Sequence, residues 1–567
     1  MGSEDLGSGR YRALVGQEFD LLIIGGGIIG CGIARDAALR GLRVALFEKE
    51  DFGYGTSSRS TRLIHGGLRY LERYDFGLVQ QDLREREILL RIAPHRVRPL
   101  PFLVPLYRRS AFYRAKLRVG MWLYDVLSYG KSLPNHRFLS REETLQAEPG
   151  LAPDGLQGAA LYYDAQASFA ERLCIDNVVD AAAHGAQVYN HTEVTGLLRG
   201  EKGWVTGLRV RDRLTGEEAE ARGAVVINAA GPWVDALEQK LAGSSRPRLR
   251  LTKGIHFAAP PAVRHALVLF SETDARLFFV IPWMGYAWVG TTDTDFNGDL
   301  DAVRTTGEEV CYLLETVGKV LPRADWRSIY FTTAGVRALV REDRPSARES
   351  DVSRKHRLVV HTEAEGLAGM ISVLGGKLTA YRSIADEVVT RAYRLPTEQY
   401  LAKNPGVRLR LRPLRPCTTQ KRPLPGGDFK DLETLREEAR QHAAALGLDA
   451  DQADHLVFLY GTRYTHILDL IRQRPELGRR FAPAYSDVRA EVHHAVAQEF
   501  ARTARDFLMR RAPLFFTPDQ GQQAALPVVE EMADLFGWDE SRCQAELSAY
   551  QAQVARAQAF RQEMRKS

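Results

Sequence analysis

Three glycines, Gly25-x-Gly27-x-x-Gly30, stand between a compact apolar run, Phe19 to Ile24, and a stretch carrying apolar residues at helical spacing through Ile28, Ile29, Ile33, Ala37 and Ala38. Gly25 suits a tight turn, Gly27 lets backbone approach a pyrophosphate, and Gly30 allows a helix to pack closely on a sheet. The N-terminus of that helix offers unpaired N–H groups and partial positive charge to phosphates. Gly41 ends the helix, Val44 to Phe47 reads as the next strand, and Glu48 closes it. The Glu48 carboxylate can accept hydrogen bonds from ribose hydroxyls and would repel a 2′-phosphate, which disfavours an NADP-type ligand. A glycine triplet alone is weak, but strand, turn, helix and an acidic residue about 20 positions on together specify a dinucleotide site.

Two further segments bear on which dinucleotide. Ala224 to Gly231 is a strand ending in small residues, and it resembles the second adenine-side strand of FAD-binding proteins. Leu374-Gly375-Gly376-Lys377 follows the apolar run Met370 to Leu374 and opens a helix from about Lys377. A helix N-terminus aimed at the pyrimidine edge of a flavin would stabilise the negative charge gathered there on reduction. In this order, after the first motif, both favour FAD over NAD.

From Thr56 the chain reads Thr56-Ser57-Ser58-Arg59-Ser60-Thr61-Arg62-Leu63-Ile64-His65-Gly66-Gly67-Leu68-Arg69-Tyr70-Leu71-Glu72. This resembles the signature of the FAD-dependent glycerol-3-phosphate dehydrogenases, of respiratory and mitochondrial type, within the D-amino-acid-oxidase-like flavoproteins. The resemblance continues in Gly231-Pro232-Trp233-Val234, Lys253-Gly254-x-His256, Ile281-Pro282-Trp283, Gly290-Thr291-Thr292-Asp293, Gly335-Val336-Arg337 and Gly375-Gly376-Lys377-Leu378-Thr379. Asp506-Phe507-Leu508 and Arg510-Arg511 look like that family's helical cap. Ala338 and Ala380 depart from it, where proline and a second threonine are usual.

The resemblance implies oxidation of sn-glycerol 3-phosphate to dihydroxyacetone phosphate, with hydride passing from C2 to FAD. Thr56, Ser57, Ser58, Gly231, Trp233, Gly375, Gly376 and Lys377 would join Gly25, Gly27, Gly30 and Glu48 around the cofactor. Such a substrate needs cations for its phosphate and an acceptor for the hydroxyl proton. Arginine donates bidentately to phosphate, and lysine acts as a mobile point charge. Arg69, Arg337 and Lys377 are the implied cations, with Tyr70 and Thr379 as neutral donors; which cation faces the phosphate stays open. His65 and His256 compete for the base, since histidine titrates near neutral pH and nearby cations favour its neutral form. His65 is preferred because His-Gly-Gly leaves little bulk between backbone and ligand. The alternatives are an oxidase passing electrons to oxygen, an amine or amino-acid oxidase, and a non-enzymatic flavin scaffold.

These residues need a frame, and 567 residues exceed what one core usually supports. The expected fold is α/β: a Rossmann-like FAD-binding domain over 18–395, an inserted antiparallel substrate domain (mainly 75–165 and 245–345), a proline- and arginine-rich linker at 396–427, and an all-helical domain over 428–567. Strands are expected at Leu277 to Ile281 and Tyr286 to Gly290, and a helix over Glu491 to Arg511 with Val492, Ala495, Phe500, Ala504 and Leu508 near one face.

The net charge of +6 permits an anionic substrate or membrane surface without demanding either, and no basic–aromatic run marks a nucleic-acid binder. Five isolated cysteines argue against disulfides, a structural metal or an iron–sulfur cluster, and suit a reducing cytoplasm. No run approaches the roughly 18–20 apolar residues that span a bilayer. Arg108 to Tyr124 mixes basic and aromatic residues suited to a headgroup layer, as on the inner face of the cell membrane, or alternatively to a solvated helix with its apolar side in the core. The resemblance implies a membrane quinone as the electron acceptor, which this stretch modestly favours over oxygen, and a homodimer is left open.

Overall fold

The computed structural model describes residues 9–67, 74–108, 110–200, 203–243, 247–271, 273–274, 276–341, 355–403 (side chains to 396) and 414–565. Arg69 and Tyr70 lie outside the described residues, as do Arg408, Arg410 and Arg412 of the expected linker.

The Glu18–Ile24 strand sits at the centre of the parallel part of an eight-stranded sheet. Val44–Phe47 and then Gln187–Tyr189 lie on one side of it, Glu218–Asn228 and then Met370–Leu374 on the other. Leu21 to Ile24, Val44 to Phe47 and Val225 to Asn228 are buried throughout, as parallel strands covered on both faces require. The Ile28–Leu39 helix covers one face, wedged between the Ala170–Ala183 and Tyr381–Lys403 helices. Gly32 lets the last of these close in, because a Cβ there would meet the Tyr381 ring at 2.8 Å.

A second, ten-stranded sheet draws on Leu63–Ile64, on Val97–Tyr107 and Leu156–Ala167, and on strands between Leu249 and Val340. Its pairings are antiparallel except where Ala266–Phe270 runs parallel to Val97–Tyr107. Leu277–Trp283 and Tyr286–Gly290 form a hairpin within it. The chain thus adopts the mixed α/β fold expected, with a helical C-terminal part.

Three local expectations change. The helix after Met370–Leu374 begins at Tyr381, because Gly375 and Gly376 both adopt left-handed φ (+70° and +115°) and turn the chain first. Glu491 to Arg511 is not one helix: Ala490–Gln498 ends, Phe500 turns at φ +62°, and Ala504–Asp506 restarts into a π-turn, Phe507–Arg511. The break sends Glu499 and Arg511 inward rather than around a cylinder. Of the stretch expected as a linker, the described part 414–427 is a strap whose carbonyls at Arg415, Arg422 and Pro423 accept from the buried Arg40 and Arg35, with Leu424 buried.

Buried ion pairs tie the C-terminal helices to the parallel sheet. Asp51 accepts from Arg510 Nε (2.5 Å), Arg511 Nη1 (2.6 Å) and Nη2 (2.9 Å), and Asn190 Nδ2 (2.9 Å). Burial works against the ionised Asp51 carboxyl, yet Arg511 and Arg510 hold it below the usual carboxylate range. Arg172 donates bidentately to Glu499 (2.6 and 2.7 Å). Removing one member strands its partners, at a cost of about 3–5 kcal/mol. Asp51→Ala is therefore expected to lower the melting temperature and to let protease release the C-terminal helices early; wild-type melting and digestion would refute this role.

Candidate active site

A cavity of about 440 Å³ opens where the carboxyl ends of the parallel strands meet the second sheet. Its floor is the glycine turn. Gly25 has φ +102°, and a Cβ there would lie 2.7 Å from the Ala229 carbonyl oxygen; at Gly30 it would lie 1.8 Å from the Gly25 carbonyl oxygen. Gly30 thus packs helix on turn and does not line the cavity, whereas Gly27 faces open space apart from Ser57 Oγ at 3.6 Å. Ser57 Oγ accepts the Ile28 N–H (3.0 Å), and Glu48 accepts the N–H groups of Gly26 (2.7 Å) and Glu50 (2.8 Å). Burial pushes the Glu48 carboxyl up despite those donors, and lone pairs remain on both its oxygens for hydroxyls.

Thr56, Gly231, Trp233, Gly375 and Gly376 also line the cavity, and Trp233 Nε1 is a buried donor without a hydrogen-bond partner. Thr56 Oγ1 donates to the Val336 carbonyl (2.6 Å), pinning the Thr56–Arg59 turn to the strand that carries Arg337. Ser58 does not face this cavity; its hydroxyl donates to Gly53 O at 2.5 Å. The open approach at Gly27, the acceptor Glu48, the orphaned Trp233 donor and the turn at Gly375–Gly376 fit FAD.

His65, His256, Arg337, Lys377 and Thr379 converge on the same cavity. His65 follows the Leu63–Ile64 strand, and its backbone is clamped twice. Thr379 Oγ1 meets the His65 N–H (3.1 Å) and carbonyl (3.4 Å), while the Gly66 N–H donates to Tyr124 Oη (3.0 Å). Tyr124 donates to Asp164 (2.7 Å), which pairs with Arg86 (2.6 Å). Gly66 must lack a side chain, since a Cβ would meet both Leu83 and Tyr124 Oη at 2.7 Å.

His256 stacks on Trp288 (5.1 Å, 4°), its Nε2 lies 3.0 Å from Thr61 Oγ1, and its Nδ1 is buried without a hydrogen-bond partner. Burial, then Arg337 and Arg62, hold its pKa well below the usual value, so the ring stays neutral. The expected effect of nearby cations is present in Arg337 and Arg62, and desolvation, the larger cause, adds to it.

Arg337 lies on the Phe331–Val340 strand, opposite Thr252. Its guanidinium donates to Asp293 Oδ1 (3.1 Å), Thr291 Oγ1 (2.8 Å) and the Thr292 carbonyl (3.3 Å). Gly254 makes room for it, as a Cβ there would lie 2.4 Å from both Arg337 Nη2 and Thr291 Oγ1. Lys377 Nζ donates to Asp82 Oδ2 (2.6 Å), and burial pushes the Asp82 carboxyl up to about 6. Ala338 lines the cavity, and Ala380 is buried in the turn before the helix.

Asp82 and Asp164 stand in ordinary helix and strand patterns with no local signal of their task, and Tyr124, which reads in the sequence as part of a basic and aromatic stretch, turns inward to hold the His65 loop. Thr291, Thr292 and Asp293, which in the sequence carry only the resemblance, position Arg337.

The sequence model of the FAD dependent oxidoreductase family matches residues 20–382, and that of the C-terminal domain of alpha-glycerophosphate oxidase matches residues 417–543. A glycerol-3-phosphate dehydrogenase of Synechocystis sp. is 39% identical over 558 residues, covering 95% of this chain and 97% of that protein. The aerobic glycerol-3-phosphate dehydrogenase of Staphylococcus haemolyticus is 36% identical over 541 residues, 94% of this chain and 93% of that one. The X-ray structure of the glycerol-3-phosphate dehydrogenase of Bacillus halodurans complexed with FAD matches with a TM-score of 0.77 at 30% identity, covering 96% of each chain. With its glycine-turn cavity and its C-terminal helices both matched, the chain belongs to the FAD-dependent oxidoreductases, in the glycerol-3-phosphate dehydrogenase family.

Proposed function

We propose that this chain oxidises sn-glycerol 3-phosphate to dihydroxyacetone phosphate and delivers the electrons to a membrane quinone. The observation that carries the reading is the convergence of Arg337, Lys377 and His65 on one cavity above the glycine turn. The names of the relatives supply the substrate. FAD bound there supplies the two-electron acceptor that takes the hydride from C2. Arg337, with its carboxylate and threonine supports, and Lys377, with Asp82, bring positive charge to the phosphorylated alcohol, and by resemblance Arg69 and Tyr70 complete the set. His65, half-buried on the cavity wall, accepts the hydroxyl proton. His256 is walled in by Trp288 and holds Thr61, so it positions rather than titrates.

Anaerobic glycerol 3-phosphate is expected to bleach the yellow protein, and oxygen or a quinone added afterwards identifies the acceptor. Arg337→Ala should keep FAD yet slow flavin reduction about a hundredfold or more, since losing ~3 kcal/mol of charge-assisted contact in the transition state is two orders of magnitude. Wild-type reduction in that variant would remove Arg337 from the site.

An acidic limb in the pH–rate profile has two sources here. His65 loses its acceptor capacity when protonated, and Asp82 releases Lys377 as pH falls through about 6. Replacement of His65 by Asn should lower the rate and leave only the Asp82 limb, whereas an unaltered profile would transfer the base role elsewhere. His256→Asn should keep the shape of the curve.

Peripheral membrane attachment, and with it the quinone, is supported by the Ala111–Leu127 helix. Phe112, Val119, Trp122 and Val126, at helical spacing, together with Tyr129 just beyond, are exposed (Phe112 80%, Trp122 62%, Tyr129 98%), while Met121 and Tyr124 face inward. One apolar side packs on the core through Leu117, Met121, Leu123, Tyr124 and Leu127, whereas the second apolar stripe faces outward, and Lys116 and Arg118 stand exposed with that stripe. Among the described residues no helix is long and apolar enough to cross a membrane. Such a helix lies in the headgroup layer and gains from anionic lipid. The protein should sediment with anionic vesicles, and Trp122→Glu should weaken this; absence of binding at moderate salt would sink the proposal.

A further inference from the structure

A second cavity, of about 90 Å³, lies behind the first. The Thr56–Arg59 turn separates them, and Tyr54 and Arg59 line both. Its other walls come from Val303 to Thr305, from Thr332 to Ala334 on the strand that carries Arg337, and from the C-terminal helices at Arg505 to Arg510 and Gln553 to Ala557.

The charges facing this cavity do not cancel. Its acidic neighbours are already paired: Glu171 with Arg62 (2.5 and 2.7 Å), Asp506 with His191 (2.9 Å) and Arg510 (3.0 Å), and Glu50 with Arg213. Arg304 is paired with Glu563 (2.6 Å), and Arg556 donates to the Asp301 carbonyl (3.0 Å). Arg59 and Arg505 remain. Arg59 lies over the Tyr54 ring at 4.8 Å and makes no salt bridge among the described residues, and Arg505 Nε is a buried donor with no hydrogen-bond partner among them. Two hydroxyls on the wall are orphaned as well, Thr305 Oγ1, on a residue 2% exposed, and Thr333 Oγ1. Buried polar groups are rarely left unpaired, and each costs about 1–3 kcal/mol when they are. Two cations and two hydroxyls around a space of several water volumes match one tetrahedral oxyanion: the guanidinium forks supply charge-assisted donors and the hydroxyls neutral ones.

We propose that this cavity is a binding site for inorganic phosphate, separate from the reacting site and built between the oxidoreductase sheets and the C-terminal helices. An ion held there draws Arg59 and Arg505 together. It thereby pins the turn whose Ser57 receives the Ile28 N–H and whose Thr56 holds the Arg337 strand. The site needs no particular substrate for the first cavity, so it does not rest on the proposed reaction.

The test is titration of FAD-loaded protein with inorganic phosphate, followed by calorimetry and phosphorus NMR. Two classes of site are expected. Replacing Arg505 by Gln, or Thr305 by Val, should weaken one class about tenfold or more and leave anaerobic flavin reduction by glycerol 3-phosphate within about twofold, one charged hydrogen bond being worth at least a factor of ten. Arg337→Ala should act on the other class only. Thr305→Val is isosteric, so it keeps the test decisive if Arg505→Gln does not fold. Phosphate binding that ignores both Arg505→Gln and Thr305→Val, or a single class lost with Arg337→Ala, would overturn the second site. An Arg337-insensitive pair of classes, one of them lost with Thr305→Val, would uphold the second site while counting against the reaction proposed for the first.

Discussion

A cation that must meet an anion inside a protein has to be kept inside while it waits. Taking charge out of water costs several kcal/mol per ion unless a partner repays it. In this chain five interior cations near the cavity have such a partner: Arg337 has Asp293, Lys377 has Asp82, Arg62 has Glu171, and Arg510 and Arg511 share Asp51. The same device does two jobs. Around the cavity it holds donors ready with their geometry set by Thr291, Thr292 and Asp82, and between the two parts of the chain it fastens the C-terminal helices to the sheet.

Glycine supplies the complementary constraint, space. Gly30 permits helix and turn to touch, Gly254 leaves a slot for a guanidinium, and Gly66 lets the His65 loop sit against Tyr124. None of these positions is a flexible joint in this setting. Each is a place where backbone or a charged group occupies the volume a side chain would need, so the polar contacts nearby can be short. The histidines show the result. Two imidazoles face one cavity, and burial against Trp288 keeps one of them neutral while the other stays half-buried on a loop held at both ends.

Much of the frame could be read along the chain. The βαβ unit from Glu18 to Phe47 and the strand Met370–Leu374 follow from buried apolar runs bounded by glycine, a local pattern. Helix ends that depend on distant partners leave no such local pattern. Glu491 to Arg511 has the composition of one helix, but it breaks where Glu499 meets Arg172 and Arg511 meets Asp51, residues more than 300 positions away in sequence. The 414–427 strap reads as a linker because its contacts are made by its carbonyls, which side-chain identity does not report.

The order of residues by itself determined the glycine turn, its acidic neighbour and the list of cations and histidines that could do chemistry, because those depend on residue type at short spacing. Only the tertiary structure decided which cations are neutralised and by whom, which histidine is sealed against Trp288, that the stripe from Phe112 to Val126 points outward, and that two arginines without salt bridges among the described residues share a second cavity. Those are properties of groups brought together from distant segments, and burial and pairing, unlike turn geometry, have no local code.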